Sequence, residues 1–349
     1  MNLNVTKWLA PVGLAFLLAA CNPAPTNNAS TQQRAEQQLT GNTMGTYYSI
    51  KMVGVDQAEA EALQTEIDKR LEKVNDQMST YRADSELSRF NQFTGEGPFS
   101  VSKDTATVVA ASLQLGNLTD GALDVTVGPL VNLWGFGPDA RPEHTPSQAQ
   151  LDETLAHTGL EHLTVEITSK GEYLYKDIPE LYVDLSSTAK GFGVDVVSEY
   201  LSEQGVTDHL IEIGGELRMS GHNGKGRPWS IAVEQPTGGS SAQQVVVPGN
   251  NSVATSGDYR NYYEMDGRRL SHTIDPRSGE PINHALASVT VIHPSCMIAD
   301  GLATALTVMG PERALAFAEE HQLAVYLLTK TDDGFRADMT SAFKKYSRG

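Results

Sequence analysis

The chain predicts an α/β protein built on a mixed sheet, and three features carry that expectation. Leu63, Ile67, Leu71, Val74 and Met78 recur at intervals of three or four, the period of a helix with one buried face. Residues 181–185, a helical stretch over 190–204 closed by Gly205, and residues 209–213 read as a strand–helix–strand unit. Asp266-Gly267 is a strong two-residue hairpin signal.

The remaining elements follow in order. Residues 44–53 read as a strand, and the helix carrying Leu63 ends before Ser79-Thr80-Tyr81. A second helix over 103–118 stops at Thr119-Asp120-Gly121, and Ser147 caps a third that Gly159 ends. Lys170-Gly171 turns a hairpin between 163–167 and 172–176. If Asp266-Gly267 is a two-residue loop, Met265 pairs with Arg268, His272 lies opposite Asn261, and Tyr263, Leu270 and His272 share a face. A strand over 287–292, a helix from Ser295 to Met309, a helix after Gly310-Pro311 and a strand over 323–329 complete the pattern.

The N-terminus reads as an address. Lys7 precedes an apolar run from Trp8 to Ala20, too short for a comfortable membrane span, and Leu18-Ala19-Ala20-Cys21 resembles a bacterial lipobox. Residues 1–20 are therefore expected to be a signal peptide, with Cys21 lipidated. The Asn-, Pro-, Ser- and Gln-rich stretch over 22–40 would be a flexible tether, leaving 41–349 as the folded domain. Such a protein stands at the periplasmic face of the inner membrane. Asn22, where an Asp would argue for retention there, leaves the outer membrane open. With Cys21 lipidated, Cys296 alone remains, so no internal disulfide forms. A net charge of −17 argues against nucleic-acid partners, and a phosphorylated ligand would need local neutralisation by a metal or a few placed cations.

Several segments carry chemistry. In Asp184-Leu185-Ser186-Ser187-Thr188-Ala189-Lys190-Gly191-Phe192-Gly193 a strand gives way to a helix opened by a lysine between small residues. Free backbone N–H groups there suit an anion, although glycines serving helix–sheet packing account for the pattern equally well. Asp300 and Thr304 stand one helical turn apart and suit a hard cation such as Mg²⁺; a helix-end Asp and a Thr bonded to its own helix is the alternative. His272, in Ser271-His272-Thr273-Ile274-Asp275-Pro276, is read as lying on a strand that ends at the Asp-Pro turn. It is a candidate base, a positioning donor or a satisfied histidine. Met78-Ser79-Thr80-Tyr81-Arg82 offers a ring and a cation fit to stack on a planar ligand, and residues 119–129 a loop whose backbone suits a heterocycle; taken individually, each segment reads first as structural.

These pieces occur together in the order of a known family. Gly41 to Thr46, Met78 to Arg82 with Asp84-Ser85-Glu86, Gly121 to Pro129, Asp184 to Gly193, Ile213-Gly214-Gly215-Glu216, Ser256-Gly257-Asp258-Tyr259, His272 to Pro276 and Asp300 to Thr304 resemble the ApbE-type FAD:protein FMN transferases. The resemblance covers about residues 40–330. It implies two intimately joined subdomains with an FAD and Mg²⁺ site between them. It also implies transfer of the FMN half of FAD to a Ser or Thr hydroxyl of a membrane redox subunit bearing a D-x-x-[ST]-G-A-[ST]-like motif, with release of AMP. By the same resemblance Met44, Tyr81, Ala122, Leu123, Asp124, Asp184, Lys190 and Ile274 contact the flavin nucleotide. Asp300, Thr304, the Ser187 carbonyl and, secondarily, Ala303 hold the metal, and His272 is tied to transfer. A hydrolase that splits FAD with water, and a flavin-storage protein, are the rival readings.

Overall fold

A computed structural model describes residues 34–138, 141–234, 242–257 and 262–348. Strand β1 (Glu36–Thr43) folds back into β2 (Thr46–Val53) through Met44-Gly45, with φ of 49° and 70°. Two positive φ values give the twist that suits a two-residue hairpin. Residues 36–40, expected in the tether, are thus strand, and Met44, expected to open β2, is the turn. Cys21, the signal peptide and most of the tether lie outside the described residues.

Helix α1 (Gln57–Met78) starts earlier than its apolar stripe because the Asp56 carboxylate accepts from Glu59 N at 2.9 Å. It buries Leu63, Ile67, Leu71, Val74 and Met78 as predicted. Short α2 (Glu86–Gln92) and β3 (Phe99–Val101) lead to α3 (Lys103–Leu118), which stops where predicted, with Asp120 and Gly121 both at positive φ. After α4 (Gly128–Leu133), Ser147 and Gln150 form a capping box for α5 (Gln148–Leu155). Strands β4 (Leu163–Thr168) and β5 (Gly171–Lys176) turn at Ser169-Lys170, one residue before the expected pair, and join β3 in a three-stranded sheet.

Residues 181–185 are not a strand. Leu181, Val183 and Leu185 are fully buried in alternation, which mimics one. Their backbone bonds elsewhere: Val183 N donates to the Asn91 side chain at 2.8 Å, the Asn91 amide donates to Val183 O at 2.9 Å, and Asp184 N donates to Val125 O at 2.8 Å.

Helix α6 (Ala189–Glu203) then leads to β6 (His209–Ile213) and β7 (Glu216–Ser220), joined by Gly214-Gly215 with φ of 58° and 101°. Strands β8 (Ile231–Glu234) and β9 (Ala242–Val246) pair separately, β10 (Ser252–Gly257) returns to the main sheet, and β11 (Tyr262–Met265) pairs with β12 (Arg268–Ser271) across Asp266-Gly267. Met265 faces Arg268 as expected, and Asn261 lies outside the described residues. Strand β13 (Leu286–His293), α7 (Cys296–Met309), α8 (Pro311–Glu320), β14 (Ala324–Thr331), β15 (Gly334–Met339) and α9 (Ser341–Lys344) finish the chain.

The main sheet has eight strands in the order β1-β2-β6-β7-β10-β13-β14-β15, and every pairing in it is antiparallel. The expected parallel component is absent among the described strands, because the segment before α6 never joins the sheet. One face packs on α1, α6 and α7; the other is covered by Trp229, Val233, Val246 and Phe343. The described residues all belong to one compact unit, so the expected subdomains are joined into one body. Among those residues no helix is long and apolar enough to cross a membrane.

Helices α6 and α7 cross closely: a Cβ at Gly191 would lie 2.4 Å from the Cys296 carbonyl oxygen. Asp195, one turn further along α6, seals the contact. Its carboxylate accepts from Cys296 N (2.9 Å), Met297 N (3.1 Å), the Ser295 hydroxyl (2.8 Å) and Arg218 (2.6 Å). Asp195→Ala would strand two N–H groups and leave Arg218 to the more distant Glu199 at 3.6 Å, costing about 3–5 kcal/mol of stability. Urea unfolding of this variant should show a lower midpoint at unchanged slope; an unchanged midpoint would remove Asp195 from its role.

Buried His209 donates from Nδ1 to the Val206 carbonyl and accepts at Nε2 from Ser198, both at 2.8 Å. Burial lowers its pKa below 6.5. The unfolded chain therefore takes up this proton first, and stability present above pH 6.5 is lost as pH falls toward the folded-state pKa. Unfolding free energy measured from pH 7.5 to 5.5 should fall, less steeply in His209→Asn.

Candidate active site

Met44 begins the site. Held at the β1–β2 turn with φ 49°, it drops its side chain against α6, where Gly193 makes room: a Cβ there would lie 2.6 Å from Met44 Cε. Above it opens a cavity of about 1240 Å³, lined by Met44, Met78, Tyr81, Asp184, Ser186 and Lys190 among others. The structure thus brings together four of the predicted ligand-contacting residues, Met44, Tyr81, Asp184 and Lys190. The volume suits a ligand of dinucleotide size.

Tyr81 is 71 % exposed at the rim, available for stacking. Arg82, also on the cavity wall, bonds Glu72 (2.7 and 3.0 Å) and Asp76 (2.6 Å) and ties the Tyr81 loop to α1. Asp184 is fixed by Ser186 N donating to its carboxylate at 2.9 Å.

Ala122 and Leu123 bury their side chains in the core against α7, leaving only their backbone for a ligand. The Asp124 carboxylate accepts from Thr126 N (2.7 Å) and Oγ1 (2.6 Å), and burial pushes its pKa up. The Val125–Asp184 backbone bond joins this loop to the cavity wall. Ala122, Leu123 and Asp124 are not themselves among the described residues lining the cavity, nor are His272 and Ile274.

The charged end of the site lies where α6 begins. Thr188 provides no side-chain cap, and the Asp300 carboxylate of α7 does part of that work by accepting from Gly191 N at 3.1 Å. Lys190 Nζ stands 3.7 Å from Asp300, 3.6 Å from Glu216 and 3.3 Å from the Ser186 carbonyl. Burial alone would lower the lysine, but the two carboxylates outweigh it and hold its pKa above the ordinary value. Burial raises Asp300, opposed by Lys190.

Thr304, one turn after Asp300, is the only residue from Gly301 to Gly310 that is not fully buried, and its hydroxyl lies 3.4 Å from Ser256 Oγ. Ser187 is half-buried beside Ser186 at the entrance to α6. Ala303 goes to the core: it is fully buried, and its carbonyl accepts from the Thr307 hydroxyl at 2.8 Å.

Oxygen donors from Asp300, Thr304 and the Ser187 backbone fit a hard cation. Among the described residues no three His, Cys, Asp or Glu side chains gather as a closed metal cage. One carboxylate with neutral oxygens suits Mg²⁺, which keeps waters and takes phosphate oxygens as its other ligands.

His272 follows β12 rather than lying on it. Its ring meets Phe136 edge-on at 6.4 Å between centroids, and Phe136 contacts Tyr263 at 4.9 Å. Leu270 and Tyr263 pack with Ile274, which is 3 % exposed with its backbone bridged to Pro281, so Ile274 has only main chain to offer. Asp258 and Tyr259 of the predicted Ser256–Tyr259 motif lie outside the described residues.

Two residues were given no role by sequence reasoning. Asp195 gave a faint signal as an acid between Val194 and Val196 on α6. Glu216 gave a better one: a carboxylate directly after a Gly-Gly turn. It is 5 % exposed, and burial, reinforced by Asp300 and opposed by Lys190, pushes its pKa up.

Comparison with known proteins identifies the family and the fold. The ApbE family model matches residues 44–327. A FAD:protein FMN transferase of Vibrio cholerae is 55 % identical over 345 residues, covering 97 % of this chain and 98 % of its own length. That of Escherichia coli K12 is 43 % identical, covering 99 % and 98 %. The solved Vibrio cholerae flavin transferase ApbE superposes with a TM-score of 0.83 at 55 % identity, over 90 % of this chain and 99 % of that one. The apo flavinyl transferase ApbE of Pseudomonas stutzeri gives 0.82 at 43 %, over 90 % and 97 %. The chain belongs to the ApbE family.

Proposed function

We propose that this chain is an FAD:protein FMN transferase: it moves the FMN half of FAD onto a Ser or Thr hydroxyl of a partner protein and releases AMP, with Mg²⁺ required. The observation that carries this reading is the position of Lys190, held beside Asp300 at the start of α6 and on the wall of a cavity of dinucleotide size.

In this reading Tyr81 stacks on the flavin nucleotide, and Met44 and Asp184 line its place. Lys190, on the cavity wall, meets the pyrophosphate charge, which so acidic a chain must neutralise locally. Asp300, Thr304 and the Ser187 carbonyl would hold Mg²⁺, which supplies Lewis-acid stabilisation of charge on the phosphoryl oxygens. The acceptor hydroxyl attacks the phosphorus nearest riboflavin, a new P–O ester bond forms, and the P–O bond to the AMP phosphate breaks. His272 accepts or orders the hydroxyl proton, and AMP leaves with the bridging oxygen. The acceptor class in this proposal is a membrane redox subunit with a D-x-x-[ST]-G-A-[ST]-like motif. The site of action is the periplasmic face of the inner membrane, reached by a lipid anchor at Cys21.

Incubating the chain with FAD, Mg²⁺ and a protein carrying that motif should add one FMN to the acceptor by intact mass, with matching AMP by chromatography. AMP and free FMN over an unmodified acceptor would favour hydrolysis. Stoichiometric FAD retention without AMP or metal dependence would favour storage.

His272→Ala should slow transfer by about 10²–10⁴-fold, the usual worth of a positioned proton acceptor, while FAD affinity stays within about threefold. Equal transfer rates would end that assignment.

A further inference from the structure

Glu216 is a buried charge for which the proposed chemistry has no task. Its Oε1 lies 3.6 Å from Lys190 Nζ, and its Oε2 is fully buried with no hydrogen-bond partner among the described residues. Such an oxygen is expensive to keep, and proteins rarely keep one without a use. Lys190 stands almost equally far from Asp300, at 3.7 Å. Neither separation matches a committed ion pair of this protein, such as Arg218–Asp195 at 2.6 Å or Lys73–Asp104 at 2.8 Å. One ammonium is therefore divided between two buried carboxylates.

That division matters for Asp300. The oxygen nearest Lys190, Oδ2, also accepts from Gly191 N. With no second carboxylate nearby, the ammonium would settle on Asp300 and compete with any divalent cation for it. Glu216 offers the ammonium another partner on the first residue of β7, held at that spot by the Gly214-Gly215 turn.

We propose that Glu216 is a positioning residue that draws Lys190 off Asp300 and so leaves the Asp300 carboxylate open to a divalent cation. This rests on the reading of Asp300 as a metal ligand. Glu216 acts through Lys190 and does not itself touch the metal. Cation arrival at Asp300 then transfers Lys190 wholly to Glu216, with the ammonium still beside the cavity where a phosphate would lie.

The test is Mn²⁺ binding to the whole chain without FAD, read by the free-ion EPR signal. Glu216→Gln should weaken Mn²⁺ binding about tenfold, because Lys190 is then committed to Asp300. In a Lys190→Met background the same substitution should change affinity by less than about threefold, since the competitor has gone. A general loss of structure would not discriminate between the two backgrounds. If Glu216→Gln does not fold, Glu216→Asp serves in the same pair of backgrounds, with a smaller effect that again vanishes beside Lys190→Met. Unchanged affinity, or an equal loss in both backgrounds, overturns the proposal; the equal loss would mean that Glu216 acts on the cation directly. Asp300→Asn binding Mn²⁺ as well as the unaltered chain would instead overturn the metal reading beneath it.

Discussion

Helices α6 and α7 meet at Gly191 and Cys296 with no room for one additional methyl group, and the placement of the site's charged groups follows from that contact. Because the helices touch, Asp195 of α6 can satisfy the first amides of α7, and Asp300 of α7 can satisfy an amide in the first turn of α6. Each helix caps the other. The reciprocity fixes the relative rotation of the two helices, and with it the separation of Lys190 from Asp300. Packing and electrostatics here are one constraint: a wider crossing would leave amides unpaired at both ends, an error costing about 1–3 kcal/mol for each buried group.

Much of this was legible in the sequence, and the reason differs from element to element. Helix α1 announced itself because one face is buried and the other is solvated, so its period shows. The Ser147 and Ser295 caps and the Asp266-Gly267 turn were legible because their chemistry is local. The reading failed where partners are distant. Residues 181–185 alternate like a strand, yet bond to the side chain of Asn91, some ninety positions earlier in the chain. The antiparallel order of the sheet depends on that detour, and no local signal records it.

Of the candidate site, the residue types were legible and their division of labour was not. Met44, Tyr81, Asp184 and Lys190 do share a cavity, while Ala303 and the side chains of Ala122, Leu123 and Ile274 belong to the core. A motif records which positions matter without saying whether the backbone or the side chain is used. Glu216 stood in a recognised motif but without a role, because its meaning depends on a neighbour 26 positions away in the chain, Lys190, and on burial that a turn sequence does not reveal.

The thiol of Cys296 has a further use. It sits at the first residue of α7, wholly buried, and burial raises its pKa well above that of a free cysteine. In the native chain it is therefore shielded from alkylating and oxidising reagents. The Cys296 thiol donates to the Leu217 carbonyl of β7 at 3.6 Å, so its labelling rate counts how often α7 lifts from the sheet and from α6.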